Sequence, residues 1–291
     1  MPSTKSKKKS KARKKASSRG SKSGKKVSMA TTRDRHVLYQ DSVQCVEAEI
    51  DFVDDTFRDL RGRRAELLRE DFCGTLNTSC EWVRRRPGNR AIGVDLDADV
   101  LEWGRAHNVG KLSPEAQKRI AILHDNVLTV DAEPVDAVLA MNFSYFTFQT
   151  RDQMRDYYRA VREALVDDGI FFMDCYGGYE SVREIVEKRQ INKDFTYVWD
   201  QDAFNPITNQ MRCYIHFHFR DGSKMKKAFA YDWRMWSLPE IREILEEAGF
   251  RRSTVYWEGT EEDSDEGNGV FEPTELGEAD PSWVAYIVAE K

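Results

Sequence analysis

Glu70, Gly74 and Asp95 are the residues whose types and spacing first suggest chemistry. Glu70 closes the apolar stretch Ala65–Leu68, a tight turn with Gly74 follows, and 21 positions after Gly74 a second apolar stretch ends on Asp95. An acid at about that offset from a glycine turn is placed to meet ribose hydroxyls. The turn lacks the three-glycine pattern that lets a backbone approach a pyrophosphate, so the expected ligand is a nucleoside without phosphates.

Positioning these residues requires a strand, a turn, a helix and a second strand over residues 65–97, with the break at Pro87-Gly88 between helix and strand. That is a βαβ unit, whose ligand sits beyond the carboxyl ends of its strands. The alternation continues. Asp97 caps a helix to about His107, Ser113-Pro114 starts another, and strands are expected at 120–123, 135–141 and 170–173. Thr150 and Gln153 form a capping box for a helix expected to stop at Asp168-Gly169. Two further strands, near 254–257 and 283–288, complete an α/β, doubly wound, mostly parallel seven-stranded sheet.

Three segments depart from this pattern. Residues 1–32 form a basic tail expected to be disordered, and 33–291 the folded domain. Residues 1–26 carry ten Lys, two Arg and no acid, which leaves 33 basic against 50 acidic residues, net −17, in the rest. Such a tail suits nucleic acid or another polyanion. Residues 195–236 hold 11 of the 33 aromatic residues and alternate around Arg220-Asp221-Gly222-Ser223, which predicts an antiparallel β insert. Residues 259–281 read as an acidic loop too polar to pack. Before the first strand, Val43, Val46, Ile50, Val53, Phe57 and Leu60 mark one helix face, preceded by a segment in which Tyr39 is placed to lid a ligand.

Five cysteines without C-x-x-C spacing argue against a disulfide framework or a zinc site and for a reducing cytoplasm. No apolar run is long enough for a membrane span, and the charged amino terminus has no apolar region of a secretory signal after it.

Glu70 to Leu76, Gly93 to Asp97, Asp125-Asn126 and Glu247-Ala248-Gly249-Phe250, in that order over roughly 39–290, resemble the motifs of class I S-adenosylmethionine-dependent methyltransferases. The insert resembles that of the small-molecule branch. The resemblance implies S-adenosylmethionine as cofactor. Glu70 and Cys73-Gly74-Thr75 would hold the methionine end, Asp95 with Leu96 the ribose, and Asp125 with Asn126 the adenine, while Asn142 would stand near the methyl group and Tyr39 would cover the cofactor as a lid. Where the family has acid-x-Gly-x-Gly-x-Gly, this chain has Glu70, Phe72, Gly74 and Leu76. Either the loop takes another route around the ligand or cofactor binding has decayed.

No catalytic residue stands out. The acceptor-site candidates are Tyr145 after the fourth strand, Tyr176 and Tyr179 after the fifth, and Tyr214, His216 and His218 on one face of an insert strand. The two histidines lack a third ligand, so no metal is expected. Trp82 and Trp103 read as core. The leading expectation is methyl transfer to a small molecule. The alternatives are methylation of RNA or a nucleic-acid-bound protein recruited by the tail, and a non-catalytic binding module of the same fold.

Overall fold

The computed structural model describes residues 27–261 and 267–291. The reading of residues 1–26 as a nucleic-acid-binding tail falls outside them. The chain begins with α1 (Met29–Thr32), α2 (Arg35–Ser42) and α3 (Val46–Arg61). It then alternates through β1 (Leu67–Asp71), α4 (Asn77–Arg85), β2 (Arg90–Asp95), α5 (Ala98–His107), α6 (Pro114–Gln117), β3 (Ile120–His124), β4 (Val135–Ala140), α7 (Arg151–Ala164) and β5 (Leu165–Gly177). The insert is β6 (Ile185–Gln190), β7 (Phe195–Asn205), β8 (Gln210–Phe219) and β9 (Lys224–Arg234). The chain closes with α8 (Leu238–Glu247), β10 (Arg252–Thr260), β11 (Gly267–Thr274) and β12 (Trp283–Glu290).

β1 is buried along its whole length, as a central strand covered by helices on both faces must be. The main sheet runs β11-β10-β12-β5-β4-β1-β2-β3. β3, β2, β1, β4 and β5 pair in parallel, and β12 inserts antiparallel beside β5. Ile50, Val53 and Phe57 of α3, Trp82 of α4 and Leu101 of α5 pack on one face. Tyr157 and Val161 of α7 with Ile241 and Ile244 of α8 pack on the other. The direction of the chain changes between β1 and β4, and in a doubly wound sheet the ligand crevice opens there.

The sheet has eight strands rather than seven. The eighth, β11, comes from the stretch expected to be an unpacked acidic loop: Val255–Glu258 pair with Phe271–Thr274, so the strand satisfies its backbone at the sheet edge while its one acid, Glu272, stays in solvent. The insert starts earlier than expected, at Ile185, because the polar β6 is an exposed edge strand without an apolar signature. The helix expected to reach Asp168 stops at Ala164, and a bulge in the β4–β5 register absorbs the extra residues. The tail boundary at residue 32 also moves. Met29 N–H donates to Asp221 and Ala30 N–H to Ser223, which docks α1 on the turn between β8 and β9.

Candidate active site

Phe72, Gly74 and Leu76 occupy the three positions where the related motif has glycines, and all three adopt left-handed backbone, with φ of 56°, 49° and 62°. The turn therefore follows the winding that glycines would give. A non-glycine residue there costs roughly 1–3 kcal/mol and persists only where surroundings enforce it. Phe72 is held against Tyr157 and Phe148, with ring centroids 5.6 and 6.1 Å away. Leu76 is fully buried over Gly93 of β2, where a Cβ would stand 2.2 Å from Leu76 Cδ2. The small residue this turn needs thus lies on the neighbouring strand. Asn108 Nδ2 donates to Thr75 O, and Gln40 Nε2 to Thr75 Oγ1, which completes the clamp.

Asp95 ties the first two strand ends together. Its Oδ2 accepts the Gly74 N–H at 2.8 Å and its Oδ1 the Asp97 N–H at 2.9 Å. Burial raises its carboxyl above the usual range despite these bonds. Glu70 Oε2 accepts from the Ser79 N–H and hydroxyl in the first turn of α4, and burial pushes its carboxyl to about 7. Beneath them, Asp71 pairs with the buried Arg69 at 2.8 Å and accepts from the Tyr157 hydroxyl.

At the ends of β4 and β5, Asn142 and Phe143 are also left-handed, and both their N–H groups donate to the Asp174 carboxylate, at 2.7 and 2.9 Å. Burial raises Asp174 to about 7. This cross-strand tie turns Asn142 toward the crevice and was not anticipated; the only signal was an acid closing the fifth strand.

Two cavities meet at these strand ends. The larger, about 520 Å³, is walled by Glu70, Gly74, Asp95 and Asp97 below and roofed by α2 and the Lys227–Tyr231 segment of β9. The smaller, about 190 Å³, lies beneath the insert. Tyr39, Asn142 and Tyr231 border both. Burial pushes the phenols of Tyr39 and Tyr231 well up, so both stay protonated at neutral pH. A third cavity, about 700 Å³ between α8, β10 and β11, shares no lining residue with these two.

The structure brings Tyr39, Glu70, Cys73, Gly74, Thr75, Asp95 and Asn142 to the larger cavity. Leu96, Asp125 and Asn126 stay off its wall. Leu96 is exposed, and the Asn126 side chain accepts the Leu128 N–H within its own turn. Of the acceptor candidates only Tyr176 lines the smaller cavity. Tyr145 is core, its hydroxyl donating to Asp174 O, and Tyr179 points to solvent. Tyr214, His216 and His218 occupy the wrong face of β8. The register pairs Trp199 with Ile215 and Cys213 with Tyr231, so the cavity belongs to the odd-numbered face. His216 instead plugs a bulge in β9, Nδ1 accepting the Lys227 N–H at 2.7 Å and Nε2 lying 3.1 Å from Asp200. Trp82 is core as expected, whereas Trp103 is half-exposed and donates to Asp34. Arg35 of α2 was missed as a site residue, and so were Tyr197, Trp199, Lys227, Tyr231 and Trp233 of the insert, the latter because alternation shows that a strand has two faces without showing which is covered.

The donor set fits a particular kind of ligand. Four carboxyl groups, Glu70, Asp71, Asp95 and Asp97, border the larger cavity beside the cations Arg35 and Lys227 and offer acceptors to hydroxyls and an ammonium. Its volume lies within the roughly 300–1000 Å³ of small-molecule sites. No cluster of three or more His, Cys, Asp or Glu arranged to hold a metal occurs among the described residues.

No protein-family model matches the sequence, and no curated protein is significantly similar to it. Solved structures do share its fold. An S-adenosylmethionine-dependent methyltransferase from Clostridium acetobutylicum ATCC 824 superposes with a TM-score of 0.63 at 13% identity, covering 88% of this chain and 96% of that one. An amino pentose methyltransferase from Micromonospora echinaspora, involved in calicheamicin biosynthesis, gives 0.63 at 16% identity over 88% and 95%. A sugar N-methyltransferase from Streptoalloteichus sp ATCC 53650 gives 0.60 at 16% over 89% and 93%.

Proposed function

We propose that this chain, which has the class I methyltransferase fold, transfers a methyl group from S-adenosylmethionine to a small-molecule acceptor. The observation that carries the reading is the pair of cavities: one bordered by carboxyl groups at the carboxyl ends of β1 and β2 shares Tyr39, Asn142 and Tyr231 with an adjoining aromatic one. When bound, the cofactor supplies a methyl group already activated by its sulfonium. The protein's task is then alignment and exclusion of water.

In this reading Asp95 accepts hydrogen bonds from the ribose and Glu70 faces the methionine ammonium. The backbone of Cys73-Gly74-Thr75 lies along the same moiety. Tyr39 and Tyr231 orient the acceptor as neutral phenols. The lining of the smaller cavity offers no charged side chain to act as base, so the acceptor enters with its lone pair free. The cavity's size supports a small molecule over RNA, and the shared fold of the amino pentose and sugar N-methyltransferases points the same way. The five free cysteines are in keeping with a reducing cytoplasm. Among the described residues no helix is long and apolar enough to cross a membrane.

Calorimetry with S-adenosylmethionine and S-adenosylhomocysteine tests the cofactor, and transfer of labelled methyl to a small-molecule panel tests the reaction. Cofactor binding without transfer to any of a broad panel would favour a binding module. No binding of either ligand refutes the reading.

A further inference from the structure

The walls of the smaller cavity say more about its ligand than that it is small. Tyr197 and Trp199 of β7, Tyr231 and Trp233 of β9, Tyr176 of β5 and Phe143 beyond β4 all border it. All of these rings but Tyr197 lie in contact with one another. Tyr231 and Trp233 stand 4.5 Å apart, Trp199 lies 6.0 and 5.9 Å from them, and Phe143 lies 4.7 Å from Tyr176. Val43, Ile215 and Val284 are the aliphatic members, and no charged side chain joins the described lining.

We propose that this cavity is a site for an alkylated ammonium group, the form that a neutral secondary or tertiary amine takes once its lone pair has received the methyl and the bond to sulfur has broken, which makes the methyl acceptor such an amine. Aromatic faces carry negative potential and attract a cation without hydrogen-bonding to it. A primary ammonium brings three N–H donors, and several of the lining's acceptors are already engaged, the Tyr176 hydroxyl with Met211 and the Tyr39 and Tyr231 hydroxyls with each other, which leaves Asn142, Ser282 and Tyr197; donors left unmatched in a desolvated site weaken binding. A trimethylammonium group brings none. Each added methyl therefore improves the fit, so methylated forms of the amine bind at least as well as the starting amine. A neutral apolar ligand would be served equally by aliphatic walls, which are the minority here. The cofactor's own sulfonium does not account for the rings, because Tyr176, Trp199 and Trp233 border the smaller cavity and not the larger.

That the bound amine is the methyl acceptor rests on the transferase reading; the ring site does not. The test therefore uses the full chain without cofactor. Choline and its uncharged carbon analogue 3,3-dimethylbutan-1-ol are titrated by tryptophan fluorescence and calorimetry, with ethanolamine as the primary amine. Choline is expected to bind about five- to thirtyfold more tightly than either. Trp199→Leu, checked for folding by circular dichroism, is expected to lose most of that difference while affinity for S-adenosylhomocysteine stays within about twofold. Choline binding no tighter than the neutral analogue or ethanolamine in the unmodified protein overturns the proposal, whatever the variant does. Choline selectivity without S-adenosylhomocysteine binding would uphold the ring site and refute the cofactor reading. The reverse pattern would refute the ring site alone.

Discussion

Gly93 and Leu76 show how one residue's missing side chain sets another's backbone. Gly93→Ala would place a methyl 2.2 Å from Leu76 Cδ2 and 3.0 Å from Cys73 Sγ, both in buried side chains that would have to shift. It is expected to cost roughly 1–3 kcal/mol of stability and to weaken cofactor binding by displacing the turn. Adding Leu76→Ala is expected to restore part of both, measured by denaturant unfolding and calorimetry. At the same turn, Asp95→Ala removes an acceptor for the ribose, a charged hydrogen bond worth about 1.5–3 kcal/mol, so S-adenosylmethionine affinity should fall roughly ten- to a hundredfold with the fold retained. Undiminished binding by folded Asp95→Ala would remove this residue from the site.

At the scale of elements, α3 carries a buried acid whose cost depends on pH. Glu49 Oε1 accepts the Cys45 N–H, Oε2 has no partner among the described residues, and burial raises the carboxyl to about 7. The folded pKa lies above the unfolded value of 4.5, so the folded state binds the extra proton. Stability attached to this group is complete below pH 4.5 and is lost as pH rises toward 7. Glu49→Gln is therefore expected to raise the unfolding free energy at pH 8, by up to roughly 3 kcal/mol, and to change it little at pH 4.5. Denaturant titrations at the two pH values check the sign. In the insert, His216→Asn keeps an acceptor for the Lys227 N–H whereas His216→Ala does not. The alanine variant is expected to loosen the β9 bulge that roofs the larger cavity, seen as faster amide exchange over residues 226–231, and asparagine to restore protection.

At the scale of the molecule, the amino-terminal arm fastens the insert to the sheet. Arg33 pairs with Asp194 of the insert, and Asp34 caps α2 through the His36 N–H while accepting from the Trp103 indole of α5. Leu38 of the same arm packs with Phe195 and Phe217 of β7 and β8. Because α2 places Tyr39 at the junction of the two cavities, Asp34→Ala should reach beyond its own cap. We expect about 0.5–2 kcal/mol of lost stability, together with weaker cofactor binding through a looser roof. An unchanged dissociation constant for S-adenosylhomocysteine would show that the arm does not hold the site.

The amino-acid sequence by itself determined the chain order of seven of the eight strands of the main sheet, the caps at Asp97, Ser113 and Thr150, and the acids at the ends of the strands. These are local matters: apolar periodicity, capping side chains and chain punctuation act over a few residues. Tertiary structure decided what depends on contacts between distant residues. Phe72 and Leu76 hold a glycine-like turn because Tyr157, Phe148 and Gly93, up to 85 positions away, leave them no other space. Which face of β8 meets the cavity was decided by the docking of the insert sheet over α2 and the ends of β4 and β5, since the alternating strand is amphipathic on neither side alone: Tyr214 and His216 are buried as well as Ile215 and Phe217. β11 exists because β10 offers it an unpaired edge, and backbone pairing of that kind is indifferent to the acidic side chains that made the segment read as a loop.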